Sequence, residues 1–201
     1  ESLQRPMGTL SAPERQELWN LLDFNTARMD RLVGGLLGVA RYRAGALTLV
    51  RGPHQLPELV CRALATLEGA LQDRRTDIRV APGAGQVDVD PLLVEQVLVN
   101  LIENANHYGP PGTPIHVEAV TDGDRVQVSV ADHGPGVAPA HRATVFDGFV
   151  RYGPRGRAGL GLSIARTFVV AHGGRIWVED RAEPGARFSF PLPLAERPSG
   201  C

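Results

Sequence analysis

Residues 95–108 read EQVLVNLIENANHY. With Val94 in front, the apolar positions Val97, Leu98, Leu101, Ile102 and Ala105 recur at helical spacing and form one buried face, so a helix is expected from Pro91 to Tyr108. Asn100 and Asn104 lie four residues apart, one turn above the other, on another face. Asparagine is a mediocre helix former because its side chain competes for backbone hydrogen bonds. Two isolated asparagines in a helix most often sit on a solvated surface. The functional alternative is a pair of neutral amide oxygens facing a hydrated divalent cation and the phosphates it bridges, with no added anionic charge.

Downstream, Asp132-His133-Gly134-Pro135-Gly136 closes an expected strand. A carboxylate there can accept a hydrogen bond from the exocyclic amine of a purine, and the glycines let backbone approach a flat ring. Alone, the segment is a turn. Gly159-Leu160-Gly161-Leu162 precedes a helix, whose N-terminal amides can receive phosphate. In a chain with 23 glycines a short Gly-x-Gly also arises by chance.

Around these segments the pattern alternates. Helices are expected near 55–72 and 162–171, strands near 77–81, 86–89, 175–180 and 186–192, and a hairpin of 116–120 with 125–130 around Asp122-Gly123-Asp124. Residues 132–160 read as irregular. The sum is a two-layer α/β sandwich with a mixed sheet. Upstream, Ser11 and Pro13 open a long amphipathic helix over about 14–44, with apolar residues at Leu18, Leu22, Met29, Leu32, Val33, Leu36, Leu37 and Ala40. Its stripe either packs on its own domain or belongs to a dimerising hairpin; spacing leaves both open. Gly45 and Arg51-Gly52-Pro53 place a boundary within 45–54.

The 201 residues (21.6 kDa) suffice to bury about 70% of the unfolded surface without a metal or disulfide staple. A net charge of -1 argues against nucleic acid as a partner. All 21 basic residues are arginine, so work that usually falls to lysine must go to arginine, histidine or backbone amides. Cys61 and Cys201 are too few for a disulfide framework and suit a reducing compartment; Cys61 is expected to pack on its helix. The longest apolar or glycine run, Leu32 to Ala40, is too short to span a bilayer, so no membrane contact by this chain is expected.

Taken in order, the three segments resemble the N, G1 and G2 boxes of the sensor histidine kinase catalytic domain, in the superfamily shared with gyrase and the Hsp90 chaperone. Phe146-Asp147-Gly148-Phe149 falls where that family has its F box. The segments TVFDGFVR and GLGLSIARTFVVAHGGRI look most like the potassium-sensor kinases of the Kdp system. The resemblance implies the Bergerat-type ATP-binding fold over 53–196, preceded at 1–52 by part of a dimerisation hairpin and followed by a tail at 197–201. It implies ATP and Mg2+ as cofactors, Asn104 as metal ligand, and Asn100 as a phosphate-side and catalytic residue. It puts Tyr108 beside the adenine, Asp132 on its amine, and Gly134 and Gly136 around the base. Gly159, Leu160, Gly161 and Leu162 fall in the lid over the phosphates, anchored by Phe146 and Phe149. Arg151 and Arg155 sit in that lid, where an arginine can stabilise a transferring phosphoryl group.

The implied activity is that of a protein histidine kinase (EC 2.7.13.3): transfer of the ATP γ-phosphoryl group to a histidine and thence to a response regulator. A possible homodimer through the N-terminal helix and a place in the cytosolic portion of a membrane-anchored sensor are also implied. Three departures matter. His107 stands where the family often has lysine, and donates to phosphate only when the relevant nitrogen is protonated. Arg157 replaces the first lid glycine. The H box with its acceptor histidine finds no match, so the acceptor is expected outside this sequence. Hydrolysing relatives carry a glutamate four residues before the metal-binding asparagine; here Asn100 occupies that place, and Glu103 is expected on another face. This favours phosphotransfer over hydrolysis. The alternatives are a nucleotide-binding or dimerising module without catalysis, and a serine kinase of the anti-sigma type. His54, His116, His133, His141 and His172 are expected as surface or packing residues.

Overall fold

A computed structural model describes residues 11–72, 74–148, 159–179 and 184–195. It opens with helix α1, Ala12–Arg43. Ser11 and Glu14 form a reciprocal capping box, the Ser11 amide donating to Glu14 Oε2 at 2.8 Å, with Pro13 in the first turn. Strand β1 (Gly52–Gln55) and helices α2 (Leu56–Thr66) and α3 (Glu68–Leu71) follow. Then come β2 (Thr76–Val80), β3 (Gln86–Val89) and the long helix α4 (Pro91–Tyr108). The β4–β5 hairpin (Ile115–Asp122, Arg125–Ala131), α5 (Gly161–Ala171), β6 (Trp177–Val178) and β7 (Arg187–Pro193) complete the order.

The main sheet has strand order β2-β4-β5-β7-β6. β2 runs parallel to β4, with Thr76 opposite Ile115, and the remaining pairs are antiparallel. A mixed sheet is the result, as the sequence pattern suggests. Alternation sets its two faces. Ile115, Val117, Ala119, Val126, Val128, Val130, Phe188, Phe190 and Leu192 turn inward and are buried. On this face α4 lies between α2 and α5 and meets β4 and β5. The other face is polar: Arg187 pairs with Glu118 at 2.8 Å, and Ser189 donates to Glu179 at 2.5 Å.

Four local expectations change. Residues 52–55 are not merely a boundary: they pair antiparallel with β3, Gly52 opposite Val89, in a separate two-stranded sheet. Glycine, proline and histidine carry no strand signal there, so the order comes from the partner. The expected helix over 55–72 breaks at Leu67, which turns so that Leu67 and Leu71 both reach the core. The strand expected at 175–180 shortens to Trp177–Val178. Cys61 is exposed rather than packed, because α2 buries the stripe Leu56, Leu59, Val60 and Ala63 and the thiol lies off it.

Helix α1 packs on its own domain along one side and leaves apolar residues exposed on the other. Its face at Arg28, Arg31, Leu32, Gly35, Gly38 and Val39 is at least partly buried, whereas Trp19, Leu21, Leu22, Met29, Val33, Leu36 and Leu37 are exposed. A glycine inside a helix costs about 1 kcal/mol against alanine. Gly35 and Gly38 have a reason to be there: a Cβ at Gly35 would lie 2.7 Å from Gln96 Nε2 and Ile164 Cδ1, and one at Gly38 2.7 Å from the Phe168 ring. The two glycines let α1 seat directly on α4 and α5.

Candidate functional site

Helix α4 is fixed at both ends. At its start, Asp90 caps the helix, accepting from Leu92 N at 3.1 Å and Leu93 N at 3.3 Å. Its other oxygen accepts from Val50 N at 3.0 Å, and its own amide donates to His172 Nε2 at 3.0 Å. His172 Nδ1 lies 2.7 Å from Phe168 O, so the neutral imidazole donates there and accepts from Asp90. Burial lowers the His172 pKa below its ordinary value, against the raising effect of the Phe168 carbonyl. At the other end, Arg74 donates to Asn106 O at 2.6 Å, Gly109 O at 2.9 Å and Thr113 O at 3.1 Å, and also reaches Pro110 O. One guanidinium thus binds a carbonyl of the last helical turn, Asn106, together with three carbonyls of the segment that follows.

Between these anchors α4 presents Asn100, Glu103, Asn104 and Tyr108 to a cavity of about 380 Å³. The opposite wall is the loop after β5, with Asp132, Gly136, Val137 and His141, backed by Ala186 and Phe188. Gly159, Leu160, Gly161 and Leu162 close one end, and Arg28 and Leu32 of α1 complete the wall. The volume is that of a small-molecule site.

Asp132 is 2% exposed. Its Oδ1 accepts from Gly134 N at 2.7 Å and Ala186 N at 3.2 Å, which holds the carboxylate in one orientation. Three glycines allow the loop to pack this closely. A Cβ at Gly134 would lie 2.6 Å from Tyr108 O; Gly136 has φ 74; Gly185 has φ 121, and a Cβ there would sit 1.9 Å from Asp132 O. Across the cavity, α5 begins without a side-chain cap, leaving its first amides for a ligand. Gly161 backs onto Asn100, where a Cβ would lie 3.3 Å from Oδ1. Asn100 Nδ2 is buried and makes no hydrogen bond.

The structure therefore brings Asn100, Asn104, Tyr108, Asp132, Gly136, Gly159, Leu160, Gly161 and Leu162 to one cavity. Gly134 stands just behind the wall, against Tyr108. His107 is not among the lining residues; it turns edge-on to Tyr108, 4.7 Å between centroids. Glu103 corrects the sequence expectation of another face: it lines the same cavity, with Oε1 3.0 Å from Arg28 Nε. One residue moves a side chain by about 100° around a helix, not enough to leave a cavity this wide. Phe146 is buried edge-on to Phe188, 6.0 Å apart. Phe149, Arg151, Arg155 and Arg157 lie outside the described residues. Among the histidines expected only to pack or to face solvent, His172 packs, His141 lines the cavity, and His116 Nε2 meets His133 Nε2 at 3.1 Å. Arg28, Leu32, Val137, Val145, Ala186 and Phe188 also line the cavity, and no local motif marks them.

Known proteins resemble this chain in sequence and in fold. The model of the family described as histidine kinase-, DNA gyrase B-, and HSP90-like ATPase matches residues 89–196. The chain is 37% identical over 171 residues to the sensor protein KdpD of Escherichia coli, covering 84% of this chain and 19% of that protein. It is 32% identical over 197 residues to the alginate biosynthesis sensor protein KinB of Pseudomonas aeruginosa, covering 96% and 33%. It spans a third or less of either relative. Among solved structures, full-length ShkA in complex with AMPPNP superposes with a TM-score of 0.73 at 30% identity, over 94% of this chain and 40% of that one. The chain belongs to the histidine kinase-, DNA gyrase B- and HSP90-like ATPase family, in its histidine kinase branch.

Proposed function

We propose that this chain is the ATP-binding catalytic domain of a two-component sensor histidine kinase, with part of its dimerisation hairpin at 1–52. It binds ATP in the cavity and positions the γ-phosphoryl group for transfer to a histidine, from which it passes to a response regulator. One observation carries this reading: a held carboxylate, Asp132, and a stacked amide pair, Asn100 and Asn104, line a single cavity that also receives the start of α5. The carboxylate suits an adenine amine and the α5 amides suit phosphate. The amide oxygens suit magnesium, which keeps waters and phosphate oxygens as its other ligands. Asn104 and Asn100 would hold that ion, and when bound it neutralises charge on the phosphates.

The chain's own residues do the rest by placement. Asp132 and Tyr108 fix the base; Asn100 Nδ2, which has no partner, is ready to donate to a phosphate oxygen. Glu103 lies out of register with the position from which relatives activate water, which favours transfer over hydrolysis. The exposed apolar side of α1, including Trp19, Leu22, Met29 and Leu36, suits pairing with a second copy in a homodimer. No helix among the described residues is long and apolar enough to cross a membrane. We place the domain in the cytosol, attached to a membrane sensor.

The test is calorimetric titration with a non-hydrolysable ATP analogue, with and without magnesium, followed by incubation with ATP and a separately supplied histidine hairpin. Magnesium-dependent binding and an acid-labile phosphoprotein are expected. Binding without transfer at any hairpin concentration would demote the chain to a nucleotide-binding module, and acid-stable phosphate would make it a serine kinase.

A further inference from the structure

The cavity's phosphate side poses a problem that the sequence already raises. A nucleoside triphosphate brings several negative charges, the chain has no lysine, and His107 is not among the residues that line the cavity. The arginine that does line the cavity, among the described residues, is Arg28, on α1 and far from every nucleotide motif in the sequence.

We infer that Arg28 is a cation for the nucleotide's polyphosphate, supplied in cis by the helical segment and exchanged from Glu103 to phosphate when nucleotide binds. This rests on the nucleotide-binding reading above and adds the residue that completes it. Three observations support it. Arg28 Nε is 3.0 Å from Glu103 Oε1, yet that nitrogen is buried and makes no aligned hydrogen bond, so its pairing with Glu103 is electrostatic and improvable. Asn100 Nδ2, one turn away on the same wall as Glu103, is a second buried donor without an acceptor. An acceptor-rich ligand between them satisfies both, and phosphate oxygens fit a guanidinium fork. The charges also favour an anion. Among the described residues, Arg31 is close enough to Glu103 and Arg28 for both to act on its pKa, so two guanidinium groups share the Glu103 carboxylate.

The helix is held where this exchange requires it. Gly35 and Gly38 permit contact with Ile164 and Phe168, and Gln96 Nε2 donates to Arg31 O at 2.8 Å. Arg28 therefore reports the seating of α1 to the nucleotide: a triphosphate pulls on the docked helix, and a displaced helix loses its hold on the triphosphate. By linkage the two effects are equal in magnitude.

The experiment compares adenosine and a non-hydrolysable ATP analogue by calorimetry on the whole chain, using wild type, Arg28→Gln, Arg28→Lys and Gly38→Leu. Loss of a charge-assisted contact to phosphate predicts that Arg28→Gln weakens the analogue about tenfold or more, with adenosine changed less than twofold. Arg28→Lys restores part of the loss. Gly38→Leu, which wedges α1 away from Phe168, reproduces the Arg28→Gln pattern. Unchanged analogue affinity in Arg28→Gln overturns the inference, as does an equal loss for adenosine, which would make Arg28 a structural prop. Failure of wild type to bind either ligand defeats the nucleotide reading itself, and the inference with it.

Discussion

The two ends of the cavity are built on opposite plans. At the Asp132 end the partners are already paired: one carboxylate oxygen accepts two backbone amides, and Gly134 and Gly185 close-pack around it. At the Asn100 end the groups come from three separated segments, α1, α4 and the start of α5, and Arg28 Nε and Asn100 Nδ2 stay without hydrogen bonds. The difference teaches a division of labour. On the proposed function the Asp132 end is the base end, and being preorganised it would recognise the base at little cost in ordering. On the proposed function the Asn100 end is the phosphate end, and its two buried donors wait for an anion to complete them.

If that contrast holds, the two ends fail in different ways when mutated. The largest effect is expected from Asn104→Ala. It removes an amide from the phosphate end and should weaken the ATP analogue in magnesium by a hundredfold or more, about 3 kcal/mol, without lowering the melting temperature. Calorimetry with thermal denaturation checks both halves; a stability loss of similar size would erase the distinction between the ends. Gly185→Ala attacks the preorganised end. A Cβ there meets Asp132 O at 1.9 Å in a backbone conformation with φ 121, so folding stability should fall by about 2–3 kcal/mol, with adenosine binding lost alongside it. Asp132→Asn is milder. It leaves the loop packed but spoils the acceptor, weakening ATP by about 2 kcal/mol and erasing much of the preference over GTP. Equal loss for ATP and GTP would deny Asp132 its role in reading the base.

How much of this was legible in sequence follows the same divide. The mixed sheet, α4 with its buried face and the Asp132 loop were readable because each is a short-range pattern: alternation, helical spacing, a glycine turn after a strand. Asn100 and Asn104 stood out because asparagine is costly inside a helix. What could not be read were contacts made by distant segments. Gly52–Gln55 has no strand composition and pairs only because β3 offers an edge. Arg28 lies 72 positions from Asn100, and its place in the cavity depends on α1 seating through Gly35 and Gly38. A signal was present in those two helix glycines, spaced to share one face, but it marks a close approach without naming the partner. Glu103 was misplaced for a different reason: residue spacing fixes an angle around the helix, whereas cavity width decides whether that angle leaves the site.

The smallest effect separates the ends from their scaffold. His172 ties the N-terminus of α4 to α5 and accepts a hydrogen bond from Asp90 N, which only the neutral ring does. Burial lowers its pKa in the folded state, with Arg51 adding in the same direction and Asp90 and Asp88 opposing. The unfolded chain therefore takes up this proton first as pH falls below the ordinary value of 6.5. Stability from His172 is fully present above that pH, declines as pH falls through the window between 6.5 and the lowered folded value, and levels off beneath it. Melting temperatures from pH 7.5 to 5.5 should thus show a downward slope in wild type that His172→Gln, which does not titrate, reduces. Adenosine affinity at pH 7.5 should be the same in both proteins, because the histidine holds the frame of α4 and touches neither end of the cavity. Parallel slopes for the two proteins would remove His172 as the source of the pH dependence.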